Sequence, residues 1–221
     1  MLGAGVILTA VSLVLGFAVV GHHGGGPIQG WDNTVGAWWL HHRAHLVSVS
    51  KVIAVLGDAP ALAAISVVIT ILLLLAGLRV RALIPLAAYL GGEFFVFFTR
   101  HFVTRPRPPT ANYPAPHAIS GVHETSFSYP SGHATAAVAV LVSLGGVIWL
   151  SRRSWWPWVL AVVLGAAVAT SRLVLGVHWF SDVAFGMVLG ISWAVVVTLS
   201  LGSTTLPFRP FAGAGPRRLR R

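Results

Sequence analysis

The 221-residue chain has no cysteine, a single lysine (Lys51) and only five acidic side chains. The first absence removes disulfides, thiol nucleophiles and cysteine-ligated metals. The shortage of charge says more: charged residues make up 9% of the chain, against about 25% in an average soluble domain. With 56% hydrophobic residues and a mean hydropathy of +0.80, the composition is that of a membrane protein. The net charge of +10 is carried almost wholly by arginine. In a soluble chain that excess would suggest nucleic acid. Here the arginines stand in short gaps between apolar runs, which points to membrane orientation and phosphate recognition and away from nucleic acid.

A membrane span needs about 20 mostly apolar residues. Six runs come near that length: Ala4 to Val20, Ala61 to Leu78, Ala82 to Phe98, Ala134 to Leu150, Trp155 to Thr170 and Val183 to Leu201. No Lys or Arg precedes the first run and no small-x-small site follows it, so a retained anchor is expected rather than a cleaved leader. Between the first two spans, Trp31, Trp38 and Trp39 mingle with His41, His42, Arg43 and His45, and a short helix is expected over Val47 to Leu56 before the Gly57-Asp58-Ala59-Pro60 break. Such a segment reads as helix lying in the membrane interface. The expected fold is all-α: a six-helix membrane bundle with an interfacial helical segment, forming one domain over 1–221.

Three polar stretches interrupt the runs: Arg100-His101-Phe102-Val103-Thr104-Arg105-Pro106-Arg107-Pro108, then Pro130-Ser131-Gly132-His133, then Ser171-Arg172 with His178 and Asp182. With six spans, all three emerge on one face of the membrane. The other face collects Arg79, Arg81, Arg152, Arg153 and the basic tail over 207–221. Basic excess marks the cytoplasmic side, so a multi-pass cell-membrane protein is expected, with both termini cytoplasmic and the polar stretches extracytoplasmic. Anionic headgroups suffice as partners for the tail.

Each stretch has chemistry of its own. Pro-Ser-Gly before an apolar run reads as a helix start with Ser131 as N-cap, which is either an ordinary capped helix or an anion site formed by free backbone N–H groups beside His133. Gly132 would let a phosphate approach closely. His178 and Asp182 are four residues apart, so one helical turn would bring them together, and a carboxylate on one ring nitrogen leaves the other basic. Asp182 equally suits the N-terminus of the last span, with Ser181 as its cap. Arg100, Arg105 and Arg107, stiffened by Pro106, Pro108 and Pro109, present forked donors suited to phosphate oxygens.

Together the three stretches resemble the signature of the type 2 phosphatidic acid phosphatase (PAP2) superfamily: Lys-x6-Arg-Pro, Pro-Ser-Gly-His and Ser-Arg-x5-His-x3-Asp. The second and third match at every position, and Arg107-Pro108 matches in the first. Arg100 stands where the family has Lys, keeping the charge but not the shape. The six-span arrangement resembles the membrane branch of the family.

The resemblance implies a phosphatase or diphosphatase acting on lipid phosphates: phosphatidic acid, phosphatidylglycerophosphate, diacylglycerol pyrophosphate or undecaprenyl pyrophosphate. It implies His178 as nucleophile oriented by Asp182, His133 as acid and base, and Arg100, Arg107, Ser131, Gly132 and Arg172 around the phosphoryl oxygens. No metal or other cofactor is called for. A lipid-linked phosphotransferase using the same site, or a non-catalytic lipid-binding or transport protein, are the alternatives. His22, His23, His41, His42 and His45 lack the carboxylate or cysteine partners of a recognised metal spacing. Glu93, deep in the third span, is expected to have a structural partner, and Asp58 to be a turn residue. His117, His123 and Glu124 sit in the loop between the first two motifs.

Overall fold

The computed structural model describes residues 1–114 and 125–203. Their regular elements are all helical: α1 (Leu2–Leu15), α2 (Gln29–His42), α3 (Val47–Leu56), α4 (Ala59–Leu75), α5 (Ile84–Phe102), α6 (Gly132–Arg152), α7 (Trp156–Val174) and α8 (Phe180–Gly202). The wider turn Gly16–Val20 continues α1, and short 3-10 turns cover Arg79–Leu83 and Thr110–Asn112.

Among the described residues, five stretches are long and apolar enough to cross a membrane: Gly3–Val20, Arg79–Phe102, α6, α7 and α8. A sixth exists if α3 and α4, bent by 53° at their junction, count as one span. The bend falls where Asp58, in extended conformation at ψ 151°, caps α4 by accepting from the Ala59 amide, with Pro60 in the first turn. The stretch read as interfacial therefore holds two helices: α2, with Trp31 and Trp38 exposed, and α3, which packs along α7.

Four of the helices run past the apolar segments that announced them. Arg100 lies in the last turn of α5, His133 in the first turn of α6, Arg172 in the last turn of α7 and Asp182 in the first turn of α8. The polar motifs thus lie on helix ends and in the connections that follow α5 and α7, where a charge costs least in a bilayer.

The centre of the bundle is α6, packed against α5, α7 and α8. Its buried face is rich in Ala134, Ala136, Ala137, Ala139, Gly145 and Gly146, and small residues let membrane helices come close. α8 approaches closely: a Cβ on Gly190 would stand 2.5 Å from the Thr135 carbonyl, and one on Gly186 3.0 Å from both the Ser131 carbonyl and Thr135 Oγ1. That contact holds the first turns of α6 and α8 together, and the Ser131 amide donates to the Asp182 carbonyl across them (3.0 Å).

Candidate active site

The nucleophile candidate is delivered by the way α7 ends. Gly176 adopts φ +68°, its amide bonds to the Leu173 carbonyl (3.0 Å), and the Val177 amide reaches the Arg172 carbonyl (3.2 Å). This paired closure is the Schellman arrangement, which favours glycine because other residues resist positive φ. The chain reverses there, and His178 follows at once. A helical turn is thus not what joins His178 to Asp182, because α8 begins only at Phe180. Asp182, in the first turn of α8, folds back to accept from the Trp179 amide (3.0 Å), and the same carboxylate oxygen lies 3.4 Å from His178 Nδ1. Ser128 donates its hydroxyl to that oxygen as well.

The other face of the imidazole meets Arg107, whose Nη1 is 3.0 Å from His178 Nε2. A guanidinium can only donate, so Nε2 is the acceptor and Nδ1 carries the hydrogen toward Asp182. Arg107 is held in place by the carbonyls of Ser126 (2.7 Å) and Val177 (2.9 Å). Burial, reinforced by the guanidinium groups of Arg107, Arg172 and Arg100, pushes His178 well below the ordinary 6.5. The ring is neutral at physiological pH with its in-plane lone pair on Nε2, the state a nucleophile requires.

Opposite stands the start of α6. Ser131 is its N-cap, its hydroxyl accepting from the Ala134 amide at 3.5 Å. A Cβ at Gly132 would sit 3.6 Å from Arg100 Nη2, so the space over this helix start faces a guanidinium. Arg100 itself reaches the Pro130 carbonyl through Nε (3.3 Å) and Nη2 (3.0 Å), and Ser126 Oγ through Nη1 (3.0 Å). Arg172 is fully buried in the last turn of α7. His133 Nε2 lies 3.8 Å from Asp58 Oδ1, so the residue read as a turn former also puts a carboxylate beside this histidine. All eight motif residues expected at the site meet at one end of the bundle.

Arg105 departs from the expectation that the three arginines form one phosphate-directed set. It is fully buried and turned away from Arg107, bonding Asp182 Oδ1 (2.7 Å) and Ser181 Oγ (2.8 Å) through Nη1. Its Nη2 bonds Asp32 Oδ2 (2.5 Å) and Gln29 Oε1 (2.9 Å). Ser181, which could have been the cap of α8, donates instead to Asp32 through its amide (2.8 Å) and hydroxyl (2.7 Å). Asp32 and Ser128 are the residues that motif reading missed. Scarcity could have flagged Asp32: in a membrane chain with five acidic residues, each is costly and needs a reason.

Glu93 lies seven residues before Arg100 on α5 and lines, with Val96, Phe97, Arg100, Ser126 and Phe127, an open cavity of about 380 Å³. Of the scattered histidines, His23 Nδ1 is 2.7 Å from Thr104 Oγ1, and His42 stacks on Trp38. His117, His123, Glu124 and the basic tail lie outside the described residues.

A multi-pass helical bundle with a buried histidine–carboxylate pair among arginines defines an integral membrane protein with a polar centre at one end. The chain belongs to the PAP2 superfamily, whose model matches residues 81–205. It is 40% identical over 80 residues to an undecaprenyl-diphosphatase of Sulfolobus acidocaldarius, covering 36% of each chain. It is 37% identical over 75 residues to phosphatidylglycerophosphatase B of Bacillus subtilis, covering 32% of this chain and 37% of the relative. A decaprenylphosphoryl-5-phosphoribose phosphatase of Mycobacterium tuberculosis is 37% identical over 98 residues, 44% of this chain and 49% of the relative. The matched segments thus span from about a third to a half of the relatives' length. Likeness to the crystal structure of a transmembrane PAP2-type phosphatidylglycerolphosphate phosphatase from Bacillus subtilis extends further. The TM-score is 0.76 at 25% identity, over 93% of this chain and 98% of that one.

Proposed function

We propose that the chain hydrolyses a lipid phosphate monoester or pyrophosphate through a phosphohistidine on His178, at the extracytoplasmic face of the membrane. The observation that carries this reading is the buried His178 ring, with Nδ1 toward Asp182 and Nε2 toward Arg107. In the first step Nε2 attacks phosphorus and the bond to the leaving oxygen breaks. That oxygen takes a proton from His133, while Nδ1–H stays with Asp182. In the second, neutral His133 takes a proton from water as the water oxygen attacks, the P–N bond breaks, and its electron pair returns to Nε2. Arg100, Arg107, Arg172, Ser131 and the Gly132 amide would surround the phosphoryl oxygens, giving fixed positive charge without a metal ion.

The cavity along Glu93, Phe97 and Arg100 supports a lipid substrate, since apolar Val96, Phe97 and Phe127 line it together with Arg100. The named activities of the relatives point to the same class, a phosphate or pyrophosphate on a lipid. The clustering of Arg79, Arg81, Arg152 and Arg153 at the ends of helices remote from the site supports the extracytoplasmic orientation.

The direct test is phosphate release in detergent micelles from phosphatidic acid, phosphatidylglycerophosphate and undecaprenyl pyrophosphate, with EDTA present. EDTA-resistant release is expected from at least one of them. No release from any, or release that needs added metal, would overturn the reading.

A pH profile gives a second prediction. Because the folded protein holds His178 well below 6.5, the nucleophile stays neutral through mildly acidic pH. The acid limb of kcat/KM, corrected for substrate ionisation, is expected well under 6.5. Arg107→Gln removes a positive charge from beside Nε2, so protonation becomes easier and the limb should move up toward 6.5 while the overall rate falls. A limb that stays put in Arg107→Gln would separate it from His178.

A further inference from the structure

Asp32 lies on α2, outside the three motifs and outside the family-matched stretch 81–205. It is fully buried, yet three separate groups bind it: Arg105 Nη2, the Ser181 amide and the Ser181 hydroxyl. An isolated carboxylate there would be strongly disfavoured, so the site is built around this charge. Each of its bonds leads one step further to Asp182. Arg105 spans the two carboxylates with one guanidinium, Nη2 on Asp32 and Nη1 on Asp182 Oδ1, and Ser181 is the residue before Asp182. The guanidinium has little freedom, since its carbon also lies 5.2 Å from the Trp179 ring centre and Trp179 is tied to the Pro106 carbonyl (2.9 Å).

We propose that Asp32 is a positioning residue for the reaction of His178, acting through Arg105 on Asp182; this rests on the function proposed above. Two effects follow from the geometry. The planar fork of Arg105 fixes the plane of the Asp182 carboxylate, so Oδ2 stays aimed at His178 Nδ1. Asp32 also shares the guanidinium charge, so Asp182 keeps enough negative charge to stabilise the positive ring of the phosphohistidine. Without Asp32, Arg105 would turn its whole charge on Asp182 and weaken that support. Helix α2 thus completes an active site whose motif residues all lie elsewhere in the chain.

The test is a double-mutant cycle on lipid phosphate hydrolysis, with kcat and KM measured for wild type, Asp32→Asn, Arg105→Gln and the double variant. Asp32 bonds Arg105 and Ser181 and is not among the groups proposed to hold the phosphate. Asp32→Asn is therefore expected to lower kcat by about 10–100-fold, the range seen when outer support of metal ligands is lost, with KM within about twofold. Arg105→Gln leaves two buried carboxylates facing one another and should be worse. Adding Asp32→Asn to it should restore activity to at least about tenfold above the product of the two single effects. A merely structural residue would give effects that multiply.

An unchanged kcat in Asp32→Asn, a raised KM with kcat kept, or a multiplicative cycle would each overturn the proposal. If Asp32→Asn does not yield monodisperse protein in detergent, Ser181→Ala replaces it, cutting the hydroxyl link while keeping every charge. A smaller kcat loss at constant KM is then expected, and an unchanged kcat would overturn the idea. Absence of release from the wild type would sink the proposed function and this inference with it. Release that ignores Asp32 would sink this inference alone.

Discussion

His178→Ala is expected to reduce phosphate release by a factor on the order of 10⁴ or more, the scale on which removal of a nucleophile acts in covalent hydrolases. Its position is defined by the Gly176 turn on one side and Asp182 on the other, and the substitution leaves no imidazole there. The same experiment separates nucleophile from acid–base partner. In rapid-quench assays with ³²P-labelled substrate, wild type should give an alkali-stable, acid-labile phosphoenzyme that is absent from His178→Ala. His133→Ala should behave differently with a substrate whose leaving group needs no protonation. The first step then proceeds, water is no longer activated, and the phosphoenzyme accumulates. A phosphoenzyme that forms in His178→Ala, or one that never accumulates in His133→Ala, would reverse or remove the assigned roles.

The part of this site legible in the sequence is the part written in short spacings. Pro-Ser-Gly-His before an apolar run is a local signal, and Ser131 does cap α6. Six apolar runs in order bring the motif-bearing helix ends to one side, and α5 to α8 meet there. The pairing of His178 with Asp182 was readable from their separation, but the reason for it was not. A period of four suggested a helical turn, whereas the contact comes from a reversal at Gly176 and a first-turn carboxylate that folds back on the Trp179 amide. What the sequence hid is long-range. Asp32 and Arg105 are 73 residues apart, and no periodicity links a polar stretch after the first span to the arginines after the third. The helix α2 that carries Asp32 also lacks a clean apolar face, so its buried side could not be picked out. Arg105 groups with Arg100 and Arg107 in sequence for a related reason: three arginines within eight residues are alike in spacing, and only the fold ends α5 after Arg100 and buries Arg105 against Asp182.

Asp182→Asn should combine two losses that the other substitutions separate. The carboxylate oxygen facing His178 Nδ1 also accepts from Ser128 and Trp179, and its partner oxygen accepts from Arg105. An amide cannot accept at both positions. If its oxygen faces Arg105, its NH₂ faces the Trp179 amide and the imidazole, where donor meets donor and the ring is driven to the wrong tautomer. If its oxygen faces the imidazole, the NH₂ opposes the Arg105 guanidinium inside a fully buried cluster. The analogous change in a Ser-His-Asp triad costs about 10⁴ in kcat, and a loss of 10³ to 10⁴ is expected here on the same ground. Stability should fall as well, because removing one carboxylate from a buried ion pair typically costs about 3–5 kcal/mol. Here Asp32 still pairs with Arg105 and should hold the loss to the lower part of that range. The two effects are read separately, kcat in micelles and the thermal midpoint in the same detergent. Full activity with a lowered midpoint would make Asp182 a helix-capping residue and nothing more. A collapse of kcat beyond what the change in folded fraction explains would make it the group that orients the nucleophile.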